Sequence, residues 1–408
     1  MMPFKRKIRA NALQFSMLIS VIVLLLISSA LLLYQLQKEN KERISLYHKQ
    51  VQAVNHLMLA NYTHKNLQQP YYSNEAVVKA ITYWGAYRLI MASYETNKFN
   101  IRKCGLFGGN IKGNPDPTLY LEDNEMPLVI AGNSSLEGKV SLPSGYLKKG
   151  SINGNYFQGS LEIKPSNSDH SLPRLDPDWL NYIDNTLDKN HVISPFTKKE
   201  DSLIKSFKGP YPNLVGFKEF LKRNNHSLLG NQILFDSDQI IIEDYMNLNN
   251  VIVVSPSVLI SKGFSGSIHV VANNIKVESN VDLIFPSSLV SKISNDQLST
   301  DTGISIDTES KIEGNIIFLN KRNKSERVSN IIVSSGVNIK GNIYCQGYLD
   351  FQGNMEGTIF SKYLLSKNQG GKYLNHLFNG NIESLKNDDN YVGLPLMESN
   401  YTLAAWVF

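Results

Sequence analysis

Two hydrophobic periods divide this chain. From Phe15 to Tyr34 it is apolar and uncharged. Twenty helical residues span roughly 30 Å, the thickness of a bilayer core, so this stretch predicts a transmembrane helix. Behind it Ile44, Tyr47, Val51, Val54 and Met58 recur at steps of 3-4-3-4. That spacing continues the helix as a stalk with one apolar seam, ending near Pro70. The seam suits a partner helix or a face packed on the chain's own domain. His48, His56 and His64 step round the helix rather than sharing a face, and read as solvated. Residues 73 to 95 predict a second helix, capped by Ser73, Asn74 and Glu75, with Val77, Ile81, Trp84 and Met91 inward. From Gly105 the period drops to two.

The period-two part repeats a tetrad, an apolar residue followed by a polar one, Gly and Asn. It occurs as Ile111 to Asn114, Ile152 to Asn155, Ile312 to Asn315, Ile339 to Asn342, Phe351 to Asn354 and Phe378 to Asn381. Around most copies the apolar alternation passes through the glycine without losing phase. Val337, Ile339, Gly341, Ile343 and Cys345 share one face, as do Ile312, Gly314, Ile316 and Phe318. Phe351, Gly353, Met355, Gly357 and Ile359 follow the same rule. So do Phe378, Gly380 and Ile382, and Ile152, Gly154 and Tyr156. The copy at Ile111 departs, because Pro115 takes the next inward place. Glycine at an inward position lets a strand bend where a Cβ would crowd. Asparagine beside it tolerates left-handed dihedrals, and stacked asparagines can hydrogen-bond as a ladder.

These features predict a mainly β protein: an N-terminal transmembrane helix and stalk, then a parallel β-helix (β-solenoid) with a short helical insertion. A β-sandwich fond of Gly-Asn turns is the rival. The boundaries read 1–37 basic start and anchor, 38–100 helical stalk and packing helix, and 101–165 first β region. A helical and loop insertion takes 166–232, and 233–408 is the solenoid with the apolar YTLAAWVF end as strand or cap. The two β regions stack as one body or form two lobes.

Composition narrows the chemistry. Of the net charge of +5, four charges come from Lys5, Arg6, Lys7 and Arg9, so the rest is near neutral and no nucleic-acid face is expected. Cys104 and Cys345 form no metal motif, and a bridge between them stays open. The acidic candidates for acid–base work or calcium are Asp236, Asp238, Glu243, Asp244, Asp301 and Asp307. No motif joins them to a Lys, Arg or His. No nucleophile elbow, phosphate loop, dinucleotide fingerprint or zinc spacing occurs. The expectation is therefore no catalytic residue, no cofactor and no metal.

The basic start ahead of the apolar run puts the N-terminus in the cytoplasm and the bulk outside. An uncleaved anchor, cleavage after Ser28-Ser29-Ala30 and a processed leader are the three readings. The stretch KRKIRANALQFSMLISVIVLLLISSALLLYQLQKEN resembles the leader and membrane helix of pilin-like and pseudopilin-like proteins, the minor subunits of type IV pili and type II secretion. The resemblance puts Ala10 or Ala12 at the processing position; the glutamate usual near that site is absent, and the first is Glu39. VNIKGNIYCQG and LDFQGNMEGTIF resemble bactofilin-like, polymer-forming solenoids. Together these imply a non-enzymatic scaffold or minor subunit of a bacterial envelope assembly. It would be single-pass in the inner membrane, with its bulk periplasmic or extracellular and protein partners along the stalk seam. The alternative is a membrane-tethered β-helix that binds or cleaves polysaccharide.

Overall fold

The computed structural model describes residues 5–59, 62–63, 72–73, 76–95, 100–110, 117–187, 203–209, 212–293, 303–320, 328–385, 392–397 and 399–407. The tetrad at Ile111 to Asn114, and with it Asp301, His64 and Pro70, lies outside them. The chain is mainly β behind one long helix, α1 (Lys5–Leu59). The apolar run and the stalk seam are thus one uninterrupted element.

Asn74 and Glu75 of the expected cap lie outside the described residues, and those described between 73 and 95 are not helical. They form the antiparallel strands Ala76–Trp84 and Tyr87–Glu95. Gly85 takes φ +60° at the first place of the two-residue Gly85-Ala86 turn, a backbone setting that glycine adopts without strain. The physical reason for the misreading is burial on both sides. Ile90, Ala92 and Tyr94 pack toward α1, while Tyr87 and Leu89 pack the opposite way. A strand covered on both faces reads as a continuous apolar run, which also satisfies helical spacing. The side chains of Val77 and Ile81 lie outside the described residues; Trp84 is buried and Met91 half-buried. These strands join Asn100–Asn110 and Asn400–Val407 in a six-stranded antiparallel sheet. The chain's C-terminal segment is therefore a strand of this sheet rather than a cap on the parallel part. Tyr401 is fully buried in the cluster that receives α1.

The other large unit is built of parallel ladders. Its inward column runs Leu283, Ile312, Ile339, Met355, Ile382, Leu136, Leu161. Chain order breaks between Ile382 and Leu136, so the early β region stacks onto the end of the late one, and the two share one ladder. All but the last of these residues are nearly or fully buried in a single core cluster, and Leu161 packs against its edge. The opposite end is covered by the short helix Phe217–Phe220, whose Phe217 and Phe220 enter the same core.

The tetrads behave differently. At Ile312 to Asn315 and Ile339 to Asn342 the strand runs on: Gly314 and Gly341 stack in register at φ 148° and 156°, joined by Gly357 of the neighbouring Met355 to Thr358 at 143°. At Phe351 to Asn354 the strand is interrupted at Gln352 and Gly353. A Cβ on Gly341 would lie 1.8 Å from the Gly314 carbonyl oxygen, so only glycine fits. Asn342 and Asn315 pair beside this column, Nδ2 donating to Oδ1 at 2.8 Å. A second, exposed ladder links Asn381 to Asn354 and Asn354 to Asn338, each at 2.9 Å.

Where the second residue is Asn the chain turns instead. Asn153 (φ 49°) and Gly154 (φ 80°) make the tip of an antiparallel hairpin, leaving Tyr156 exposed. Asn379 (φ 55°) breaks the phase, so Phe378 joins a small outer cluster while Ile382 faces the main core. The shared inward face expected for these two copies is thus corrected. Asparagine enters the left-handed region cheaply; lysine and glutamate do not.

Within the expected insertion, only Pro177–Leu187 (α2) and Phe217–Phe220 are α-helical among the described residues, with the strand Asn213–Gly216 directly before the second. Helix α2 and the Gly85 turn lie against an outward apolar column on one face of the ladders: Val271, Val290, Ile317, Tyr344 and Phe360. This joins the sheet unit to the parallel unit.

Candidate functional site

The helix α1 changes environment along its length. From Leu13 to Leu36 its large apolar residues are exposed, and its segment from Ala12 is long and apolar enough to cross a membrane by length and composition. Val54, Leu57 and Met58 are fully buried against Ile90, Ala92, Tyr94, Phe107 and Tyr401 of the antiparallel sheet. Burying three such side chains is worth about 1.5–3 kcal/mol each, enough to fix the last turns. Lys103 adds a polar tie, its Nζ donating to Asn55 Oδ1 at 2.5 Å and lying 5.2 Å from the Trp406 ring. The seam therefore splits. Val54 and Met58 are covered by the chain itself, Val51 is half-buried, and Ile44 and Tyr47 are 58% and 47% exposed.

Behind the sheet lies a buried charge pair that no local pattern in the chain marks. Arg88 and Asp176 form an ion pair at 3% and 0% side-chain exposure. Tyr83 and Tyr401 donate their hydroxyls to Asp176 Oδ2 at 3.0 and 3.1 Å. The Arg88 guanidinium lies 4.1 Å from the Tyr401 ring centre. Asp176 also caps α2, with Oδ1 accepting from the Asp178 amide at 3.0 Å ahead of Pro177. Burial opposes the Asp176 charge, but hydrogen bonding and attraction from Arg88 outweigh it and hold the carboxyl below its ordinary range. One carboxylate thus joins two sheet strands, the C-terminal strand and the docking helix.

His269 and Ser288 lie 3.0 Å apart through Nδ1 and Oγ, residue types that elsewhere make a base and a nucleophile. Both are buried, and the Ser288 hydroxyl also accepts the Ala86 amide at 3.1 Å. Burial pushes His269 down to about 3. The pair seats the Gly85 turn and has no opening to solvent. Its only mark in the sequence is a histidine inside an apolar strand.

Among the described residues the carboxylate candidates form no group of three that could hold a metal. Asp236 Oδ1 accepts the Asp238 amide at 3.0 Å within its own turn. Glu243 and Asp244 follow the strand Gln239–Ile242, and Asp307 follows Ile304–Ile306. Among the described residues no three His, Cys, Asp or Glu side chains are placed to hold a metal. Cys104 and Cys345 are free and buried in different clusters; burial pushes their thiols up to about 11 and about 12.

No family model matches the chain, and no curated protein matches it. Among solved structures it is similar to the competence-associated pilin ComZ from Thermus thermophilus. The identity is 10%, covering 90% of this chain and 94% of that one, at a TM-score of 0.25. A likeness that faint carries neither fold nor function across. The pilin-like reading rests instead on α1 itself, a long apolar helix whose last turns are seated on an antiparallel sheet.

Proposed function

We propose that this chain is a membrane-anchored structural subunit of a pilus-like envelope assembly, acting without catalysis. The apolar run of α1 spans the inner membrane with its basic start in the cytoplasm, and the β units stand outside. The parallel ladders are the coils of a β-solenoid that serves as a rigid body. The observation that supports this reading best is the division of α1 into an exposed apolar length and seated last turns. A body held rigidly on a helix transmits position rather than turning over substrate. Ile44 and Tyr47, 58% and 47% exposed, are the seam residues that meet a partner helix, and Val54 and Met58 pack on the sheet.

Replacing Leu24, Leu25 and Leu26 together by arginine tests the anchor. The expected outcome is loss of the chain from the membrane fraction with the thermal transition of the body unchanged. Retention in the membrane, or collapse of the body, contradicts it. The partner seam is tested in cells by site-specific cross-linking from Ile44 and Tyr47. Adducts from these sites and none from exposed Glu42 are expected; equal adducts from all three contradict a seam.

A further inference from the structure

Two strand edges left open among the described residues are built differently. The strand Leu161–Asn167 pairs with Ser135–Leu142 on one side and with no described strand on the other. The Leu136 amide donates to the Ser160 carbonyl and the Ser168 amide to the Leu142 carbonyl, so even-numbered residues face the pairing side. Odd-numbered residues face the open side, and Pro165 is one of them. A missing N–H at the open edge, flanked by exposed Glu162 and Lys164, is how a protein prevents further pairing.

Among the described residues the C-terminal strand Asn400–Val407 carries no proline and no charge at its outer side. It pairs along its length with Asn100–Asn110. On the other side the described partners are Tyr62 and Thr63, reaching only Tyr401 and Asn400. Thr402, Leu403, Ala404, Ala405, Trp406 and Val407 bring no charge and no proline, and Trp406 is 42% exposed. The one irregularity is a register shift between Leu403 and Ala405 in the inner pairing. Two lysines lie near the strand's end: Lys103 lies over Trp406, and Lys208 acts electrostatically on Cys104, the register partner of Val407, while Arg102 beside it is ion-paired with Glu95.

We propose that the open edge of Thr402–Val407 accepts an extended strand from a different protein, apolar at alternate positions and carrying carboxylates where it passes Val407. Backbone hydrogen bonds supply the affinity and the basic rim selects the ends. The proposal stands apart from the anchor reading and holds whether or not α1 spans a membrane. It is tested on the full chain in detergent. The probe is a capped decapeptide of alternating threonine and valine with two glutamates at each end, and the readout is amide hydrogen exchange. Exchange at the open-side amides of Leu403 and Trp406 is expected to slow about tenfold with peptide, while Thr402, Ala405 and Val407, which face the inner ladder, stay unchanged. A peptide N-methylated at alternate amides gives no protection, and one with lysine ends binds more weakly. Trp406→Pro, at an amide that faces the open side, removes the effect, and Trp406→Lys, which keeps every amide, weakens it if the proline variant does not fold. Three results overturn the proposal: full protection of this edge before peptide is added, equal binding of the N-methylated peptide, or protection at Leu161–Asn167 instead. Protection that rises with protein concentration alone assigns the edge to a second copy and also overturns it.

Discussion

The parallel unit and the antiparallel unit hold their order by different means. In the parallel ladders the constraint is repeated and local. Glycine sits on glycine and asparagine on asparagine, each copy restricted by the strand beside it. In the antiparallel sheet the constraint is singular and distant. Arg88 and Asp176 lie 88 residues apart, and Tyr401 and Asp176 lie 225 apart, yet one carboxylate joins them. The first unit resists slippage in register; the second holds a helix, a sheet and a parallel body in one arrangement.

The largest loss is expected in the parallel unit. Gly341→Ala forces a Cβ against the Gly314 carbonyl and strains a φ of 156°, which costs about 4–6 kcal/mol as strain and overpacking together. Chemical denaturation would show it as an early or absent transition, and a loss under about 1 kcal/mol would mean the column is not tight. Next comes the singular constraint. Asp176→Ala leaves Arg88 buried without its carboxylate and removes the cap of α2, a loss of about 3–5 kcal/mol. If the units are as distinct as described, amide exchange rises first around Tyr83, Tyr401 and α2, before the ladder at Ile339. Leu57→Ala follows at about 2–4 kcal/mol of docking, with Ile44→Ala near zero in the same measurement.

A pH experiment sharpens the contrast. Asp350 is 4% exposed and burial pushes it up to about 6, against about 3.9 in an unfolded chain. The folded state therefore binds more protons, and this carboxyl costs stability as pH rises from about 4 to about 6. Asp350→Asn removes that cost, a gain of roughly 2–3 kcal/mol at pH 7 that vanishes near pH 4. His269 has the opposite sign: held down to about 3, it withdraws stability as pH falls below about 6.5. The variant should thus show a steeper acid loss than the parent chain. The smallest effect belongs to one rung of the buried ladder. Asn342→Ala removes its hydrogen bond to Asn315, about 1 kcal/mol, and a loss near that of Gly341→Ala would mean the asparagines, not the glycines, set the register.

Much of the parallel unit was legible because its constraint is repeated. The tetrads around Gly314 and Gly341 display in sequence what they do in space. The same text misled where Asn-Gly replaced Lys-Gly or Glu-Gly, since Asn153 and Gly154 spell a hairpin turn that the shared pattern obscured. Residues 73 to 95 carry a helix-like spacing because apolar residues cover both faces of the strands there. The aromatic and β-branched content of ITYWGAY, split by one glycine, was the available signal. The Arg88–Asp176 pair was not legible, because a contact across 88 residues leaves no local period. The seam from Ile44 to Met58 was visible as a stripe, but nothing in a stripe tells where self-packing ends and free surface begins.

That boundary on α1 is the central claim, and cysteine accessibility tests it most directly. Single cysteines at Ile22, Leu46 and Leu57 are placed in a chain whose own Cys104 and Cys345 are buried, and each is reacted with a charged maleimide. Measurements are made in lipid nanodiscs and again after the lipid is exchanged for a mild, short-chain detergent. The account predicts that position 22 is shielded by lipid and labels faster once the lipid is gone. Position 46 labels in both, and position 57 in neither. Position 57 labelling as fast as position 46, or position 22 labelling equally with and without lipid, would contradict it.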